Sequence, residues 1–177
     1  MALREILVAG NPVLRQKSRK IKSFGASIED LVEDMLDTMR SADGLGLAAP
    51  QIGIPLRLIV IETSPTVDDE GNETGPSELY VYCNPEIVES SGEEEADEGC
   101  LSVPGYVGAV TRATSVTVKG QDARGHKVRT KAEGLLARAF QHEIDHVNGT
   151  LFIDRVDSPE KLRPTASESR EPETTQQ

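Results

Sequence analysis

His142 and His146 stand four residues apart in Gln141-His142-Glu143-Ile144-Asp145-His146, where they continue an apolar stripe of Leu135, Leu136, Ala139, Phe140, Ile144 and Val147. On an α-helix such residues point the same way, so a helix here turns both imidazoles inward. This is the tightest constraint in the chain. A buried imidazole pair without a partner carries a desolvation penalty that a metal ion removes, so the fold must bring further ligands over this helix. Glu143, one step along, flanks the open coordination position. The helix is predicted to begin near Lys131 or Glu133 and to stop at Asn148-Gly149 in a left-handed turn. His126, the remaining histidine, falls in a hairpin turn and reads as a surface residue.

The best third ligand is Cys100, in the turn-rich run Glu98-Gly99-Cys100-Leu101-Ser102-Val103-Pro104-Gly105, from which a side chain can be aimed at a site. Three protein ligands plus solvent mark a catalytic centre, whereas structural zinc sites fill all four positions. Cys83, the other cysteine, lies in the apolar run 79–83 and reads as a small core residue. With one thiol taken by the metal no disulfide is expected, which suits a reducing compartment and points to the cytoplasm.

At 177 residues and 37% hydrophobic content, the chain fits one domain with a self-sufficient core. Ile28, Leu31, Val32, Met35, Leu36 and Met39 form one face of a helix over 27–40, with Ser27 as its expected cap. Strands are expected at 56–61, 79–83 and 86–89, the last two broken by Asn84-Pro85. A hairpin is expected from 114–119 and 127–129 across Asp122-Ala123-Arg124-Gly125. Residues 63–78 read as a polar, mobile loop. Strands flanking one helix, followed by a helix against the sheet, suggest α+β architecture. The catalytic domain is expected to span 1–158, with 159–177 a polar, disordered tail.

The net charge is −11, and aromatics amount to 3% with no Trp. Both features argue against phosphate-backbone binding and base stacking, so no direct nucleic-acid partner is expected. The charge is localised: residues 64–98 hold twelve acids and no Lys or Arg, while the remainder is nearly balanced at 19 basic against 18 acidic. This acidic run reads as a solvated loop and sheet edge. No segment has the length and apolarity of a membrane span. Gly44-Leu45-Gly46-Leu47-Ala48-Ala49-Pro50-Gln51 has small residues where a backbone approaches a ligand closely. It lacks the Lys-Ser/Thr and preceding strand of a phosphate loop.

Taken together and in order, 44–51, 98–102 and 141–146 resemble the three motifs of peptide deformylases, and the similarity covers about Ile6 to Arg155. Asn11-Pro12-Val13-Leu14-Arg15 also looks like the start of that family's mature domain, which leaves no room for a cleaved transit peptide despite the basic first 22 residues. The resemblance implies removal of the N-formyl group from the initiator methionine of nascent chains. It implies one divalent metal, typically Fe(II), with Zn, Ni or Co also acceptable to sulfur and imidazole. The ligands would be Cys100, His142 and His146. Glu143 would be the general base and acid, and Gln51 with the Leu101 backbone N–H would stabilise the oxyanion. Leu45, Gly46 and Ala139 would line the substrate pocket. The implied fold is α+β, with mixed or antiparallel sheets around the ligand-bearing helix.

Partners would be N-formylmethionyl nascent peptides, with transient ribosome contact. The tail does not look like the basic C-terminal helix with which some bacterial members dock. Many members carry an Arg near Val107 that holds the peptide backbone; here the position is apolar. Arg112 is expected to pair with Glu98 or Asp145 and so support the ligands. The runner-up enzyme, a zinc endopeptidase, normally takes its third ligand downstream as Glu or His. A structural metal site would need a fourth ligand that the chain does not obviously supply.

Overall fold

The computed structural model describes residues 2–165. Its centre is a five-stranded antiparallel sheet in the order β1 (Gly46–Ala48), β2 (Leu58–Glu62), β5 (Leu79–Ser91), β8 (Ser115–Gln121) and β9 (Lys127–Glu133). Helix α1 (Ala26–Ser41) and helix α2 (Gly134–Val147) cover its two faces. Strand β2 shows why. Successive side chains of a strand point to opposite sides: Leu58 and Val60 pack with Met35 and Met39 of α1, while Ile59 and Ile61 pack with Phe140 and Ile144 of α2. A strand buried on both faces reads as an uninterrupted apolar run, and each such side chain contributes about 1.5–3 kcal/mol on burial.

A second antiparallel sheet, in the order β10 (Leu162–Pro164), β7 (Val103–Arg112) and β6 (Glu94–Cys100), packs over a smaller core of Leu14, Val103, Val110, Leu151 and Phe152. The chain is thus α+β, with antiparallel sheets about the helix that carries His142 and His146. Among the described residues no helix is long and apolar enough to cross a membrane.

Several local expectations are corrected. Helix α1 buries the expected face but is not capped by Ser27. Its cap is Gly25, at φ 145 and ψ −157, whose carbonyl accepts the Ile28 and Glu29 N–H groups. Residues 79–91 form one strand and not two. Asn84 takes φ 52 inside a register shift, a conformation Asn tolerates. Its side chain fixes that bulge by accepting the Ile21 N–H at 2.8 Å and donating to Ile21 O at 2.9 Å and Gln121 Oε1 at 2.8 Å.

Residues 63–78, read as a loop, contain a short hairpin of β3 (Thr66–Val67) and β4 (Glu73–Gly75). The acidic run also supplies a full strand. Edge strand β6 exposes Glu94, Glu95 and Asp97 and turns Glu98 inward.

Leu135, expected in the core, is 66% exposed. It lies in the first turn of α2 at the mouth of a cleft, away from the sheet. The stop of α2 is as expected: Gly149 is at φ 79, and a Cβ there would also meet Arg15 O at 2.6 Å. Within the stretch expected to be a tail from 159, Leu162–Pro164 pair with Tyr106–Gly108 and Leu162 packs into the second core. Backbone pairing outweighs polar composition there. The rest of the expected tail, 166–177, lies outside the described residues.

Candidate metal centre

One turn of α2 separates His142 from His146, and the two Nε2 atoms lie 3.3 Å apart. The hairpin of β6 and β7 turns at Leu101-Ser102 and carries Cys100 to the same point, with Sγ 3.3 Å from His146 Nε2. These three ligand atoms all lie within 4.8 Å of one another. Two nitrogens held about 2.1 Å from a tetrahedral ion sit about 3.4 Å apart, and a thiolate sulfur at about 2.3 Å completes the set at a similar spacing. The cluster therefore fits a metal. Among the described residues it has three protein ligands and no fourth.

Two of the three ligands are oriented from behind, whereas Nδ1 of His146 is buried with no partner among the described residues. Glu98 Oε1 is 2.8 Å from His142 Nδ1. An ionised carboxylate only accepts, so Nδ1 carries the proton and the Nε2 lone pair faces the cluster, the usual arrangement behind a metal-bound imidazole. Cys100 Sγ receives the Ser102 N–H at 3.4 Å and Gln51 Nε2 at 3.6 Å. Gln51 Oε1 accepts the Ala48 N–H at 2.9 Å, which orients the amide so that Nε2 points to Cys100 and to Ser102 Oγ at 3.1 Å.

Glu98 is the hub of a buried charge cluster. It takes a bidentate pair from Arg112, at 2.8 and 2.9 Å, and a third bond from Arg138 Nη1 at 2.7 Å. Arg112 also reaches Asp145 at 2.6 Å, and Arg155 grips the same Asp145 at 2.5 and 2.8 Å. The expected partnership of Arg112 thus holds with both acids. Burial opposes ionisation of Glu98, and the hydrogen bonds from Arg112 and His142 outweigh it, holding the carboxyl far below the usual carboxylate range.

The sequence reading missed Arg138 and Arg155. The available signal for Arg138 was its place four residues before His142 on the buried face of α2. From there it also ties down Val110 O and Glu94 O, each at 2.8 Å, and so clamps β6 and β7 to the helix.

Glu143 is buried, and its Oε2 has no partner among the described residues. Burial pushes its carboxyl up to about 7, with His142 pulling the other way. A Cβ on Gly46 would lie 2.7 Å from Glu143 Oε1, so any larger residue there has to displace that carboxylate. A cleft of about 410 Å3 opens onto the cluster and is lined by Leu45, Gly46, Gln51, Cys100, Leu101, Ala139, His142 and Glu143. Every site residue expected from the sequence lines it except His146, which is fully buried behind the others. Val107, the apolar position, lines it too, and Tyr106 and Leu135 stand exposed at its rim. His126 and Cys83 lie elsewhere, exposed and buried as expected.

The family model for polypeptide deformylase matches residues 3–162. The chain belongs to that family. A peptide deformylase of Dehalococcoides mccartyi is 43% identical over 173 residues, covering 98% of each chain, and one of Thermomicrobium roseum is 47% identical over 171 residues, covering 97% of this chain and 96% of its own. Among solved structures, a peptide deformylase from Legionella pneumophila superposes with a TM-score of 0.79 at 49% identity, over 90% of this chain and 89% of that one. The Synechococcus elongatus enzyme, in complex with actinonin, gives a TM-score of 0.80 at 39% identity, over 89% and 81%. The family removes the N-formyl group from the initiator methionine of newly made polypeptides by metal-dependent hydrolysis. That is the reaction of this chain, an enzyme acting on a linear amide.

Proposed function

We propose that Cys100, His142 and His146 hold one divalent ion, with Fe(II), the ion the family resemblance implies, as the resident metal. When bound, the ion supplies Lewis acidity, lowering the pKa of water and polarising the formyl oxygen. The protein groups do the rest. Glu143 takes the proton from the attacking water and delivers it to the nitrogen that leaves. Gln51 Nε2 and the Leu101 backbone N–H donate to the oxygen on which charge develops, each worth on the order of 3 kcal/mol in the transition state. The methionine side chain enters beside Leu45, Gly46 and Ala139. Glu98 and Arg112 act behind the ligands, as positioning residues.

The observation that carries this reading is the unpartnered, buried Oε2 of Glu143 beside three converging ligand atoms. A buried acceptor without a donor is costly unless a water or substrate meets it. The absence of a fourth ligand among the described residues disfavours a structural site. We place the enzyme in the cytoplasm, in transient contact with the ribosome that delivers its substrate. The test is formate release from formyl-Met-Ala-Ser by anaerobically purified protein, with metal analysis of the same sample and Glu143→Ala beside it. Cleavage of casein would favour an endopeptidase instead, and equal turnover by the variant would remove the assigned role of Glu143.

A further inference from the structure

The net charge of −11 hides a second, opposite feature. An open trough of about 930 Å3, sharing no lining residue with the catalytic cleft, is lined by Lys17, Lys20, Arg57, Lys119, Lys127 and Arg129, with Glu86 its one carboxylate. The cations converge from the segment before α1, from the entry to β2, and from the hairpin of β8 and β9. Few are neutralised. Lys119 approaches Glu86 at 3.6 Å with both side chains more than half exposed, a pair that contributes little. Arg57 uses its guanidinium on neutral acceptors, Val147 O at 3.0 Å and Asn148 Oδ1 at 2.9 Å.

Lys17, Lys20, Lys127 and Arg129 are exposed and form no ion pair among the described residues. Lys119 and Arg129 are direct register partners across the hairpin, and like charges so placed are destabilising. Elsewhere on the surface Arg40, Arg124, Lys161 and Arg163 each hold a carboxylate. The trough thus concentrates unneutralised positive charge that an anionic partner would relieve.

We propose that this trough docks the phosphate backbone of structured RNA. Its lining has no aromatic side chain, so base stacking has no platform, and contact falls to phosphates and helix shape, as duplex RNA is commonly bound. A lipid surface fits less well, because interfacial binding adds buried apolar area, and the apolar lining here is limited to Val128 and Pro85. The whole-chain charge argued against nucleic acid because it averages this trough with the acidic run 64–98, whose residues lie mostly elsewhere. The inference is independent of the residue roles proposed for the cleft. Because the trough and the cleft share no lining residue, RNA held in the one does not occupy the other.

The test is fluorescence anisotropy of a labelled 20-base-pair RNA duplex with the full chain at 50 and 200 mM KCl. Four unpaired cations imply a slope of about −3.5 in log K against log salt, hence binding roughly a hundredfold weaker at the higher salt. The variant Lys20→Glu/Lys127→Glu/Arg129→Glu should bind more than tenfold more weakly at 50 mM and lose most of the slope, with formyl-Met-Ala-Ser turnover unchanged. The charge-matched Arg40→Glu/Arg124→Glu/Lys161→Glu should stay much closer to the parent. If the triple reversal fails to fold, the same three sites as Gln give the same loss of slope. The proposal is overturned if the parent shows no salt-dependent binding, if the control weakens as much as the trough variant, or if the trough variant keeps RNA binding and loses only binding to 3:1 phosphatidylcholine:phosphatidylglycerol vesicles.

Discussion

Replacing Glu98 by Gln tests whether the buried charge cluster positions the metal ligands. The substitution keeps the shape and removes one charge. In the parent, Oε1 accepts from Arg112 Nη2 and His142 Nδ1, and Oε2 accepts from Arg112 Nε and Arg138 Nη1. Whichever way the new amide turns, its NH2 faces two donors, so half of the four bonds become repulsive. Among Glu98, Asp145, Arg112, Arg138 and Arg155 the formal charge also rises from +1 to +2, and all of these but the half-exposed Arg155 are nearly closed to solvent. Breaking a buried pair in this way costs about 3–5 kcal/mol. Loss of the negative charge behind His142, and of its acceptor wherever the NH2 takes the Oε1 position, should further weaken metal binding by about 10–100-fold.

Urea unfolding of the metal-free protein reads the first quantity, and competition with a chelator reads the second. Arg112→Ala should be milder, because Arg138 still holds Glu98 and Arg155 still holds Asp145. A Glu98→Gln protein within 1 kcal/mol of the parent, with metal affinity within about threefold, would refute the positioning argument.

Acid should remove the same contribution in the parent. The folded carboxyl of Glu98 ionises far below its unfolded value of about 4.3, so its stabilisation is fully present above that value and is lost as pH falls toward the folded one. Urea midpoints should drop below pH 4 in the parent and change less in Glu98→Gln. Glu143→Ala should lower kcat by about 10²–10⁴ with metal content retained, measured by formate release and metal analysis. Gly46→Ala would place a methyl group 2.7 Å from Glu143 Oε1, and displacing that carboxylate by about 1 Å should reduce kcat on the order of 10²-fold while leaving the unfolding midpoint close to the parent; unchanged kcat would show that Glu143 has room to move.

Both helices were legible because their apolar residues recur on one face, and the ligand set because an i, i+4 histidine pair inside such a face is costly to bury unless a metal meets it. What escaped depends on contacts distant in sequence. Asn84-Pro85 looked like a strand break, but three bonds to Ile21 and Gln121 hold the bulge and let β5 run through it. Strand β6 was disguised by its acids: Glu98 points inward because Arg112 and Arg138, 14 and 40 residues later, meet it there. Leu135 continued the periodicity of α2, yet it borders a cleft, and period alone does not distinguish a core from the wall of a pocket.

Cys83 is fully buried, and burial, aided by Asp122, pushes its thiol up to about 12. Alkylating reagents attack thiolates, so at neutral pH the folded chain should count as a one-thiol protein. Iodoacetamide would then label Cys100 alone, and protection of that single label would serve as a direct gauge of how much of a preparation carries its ion.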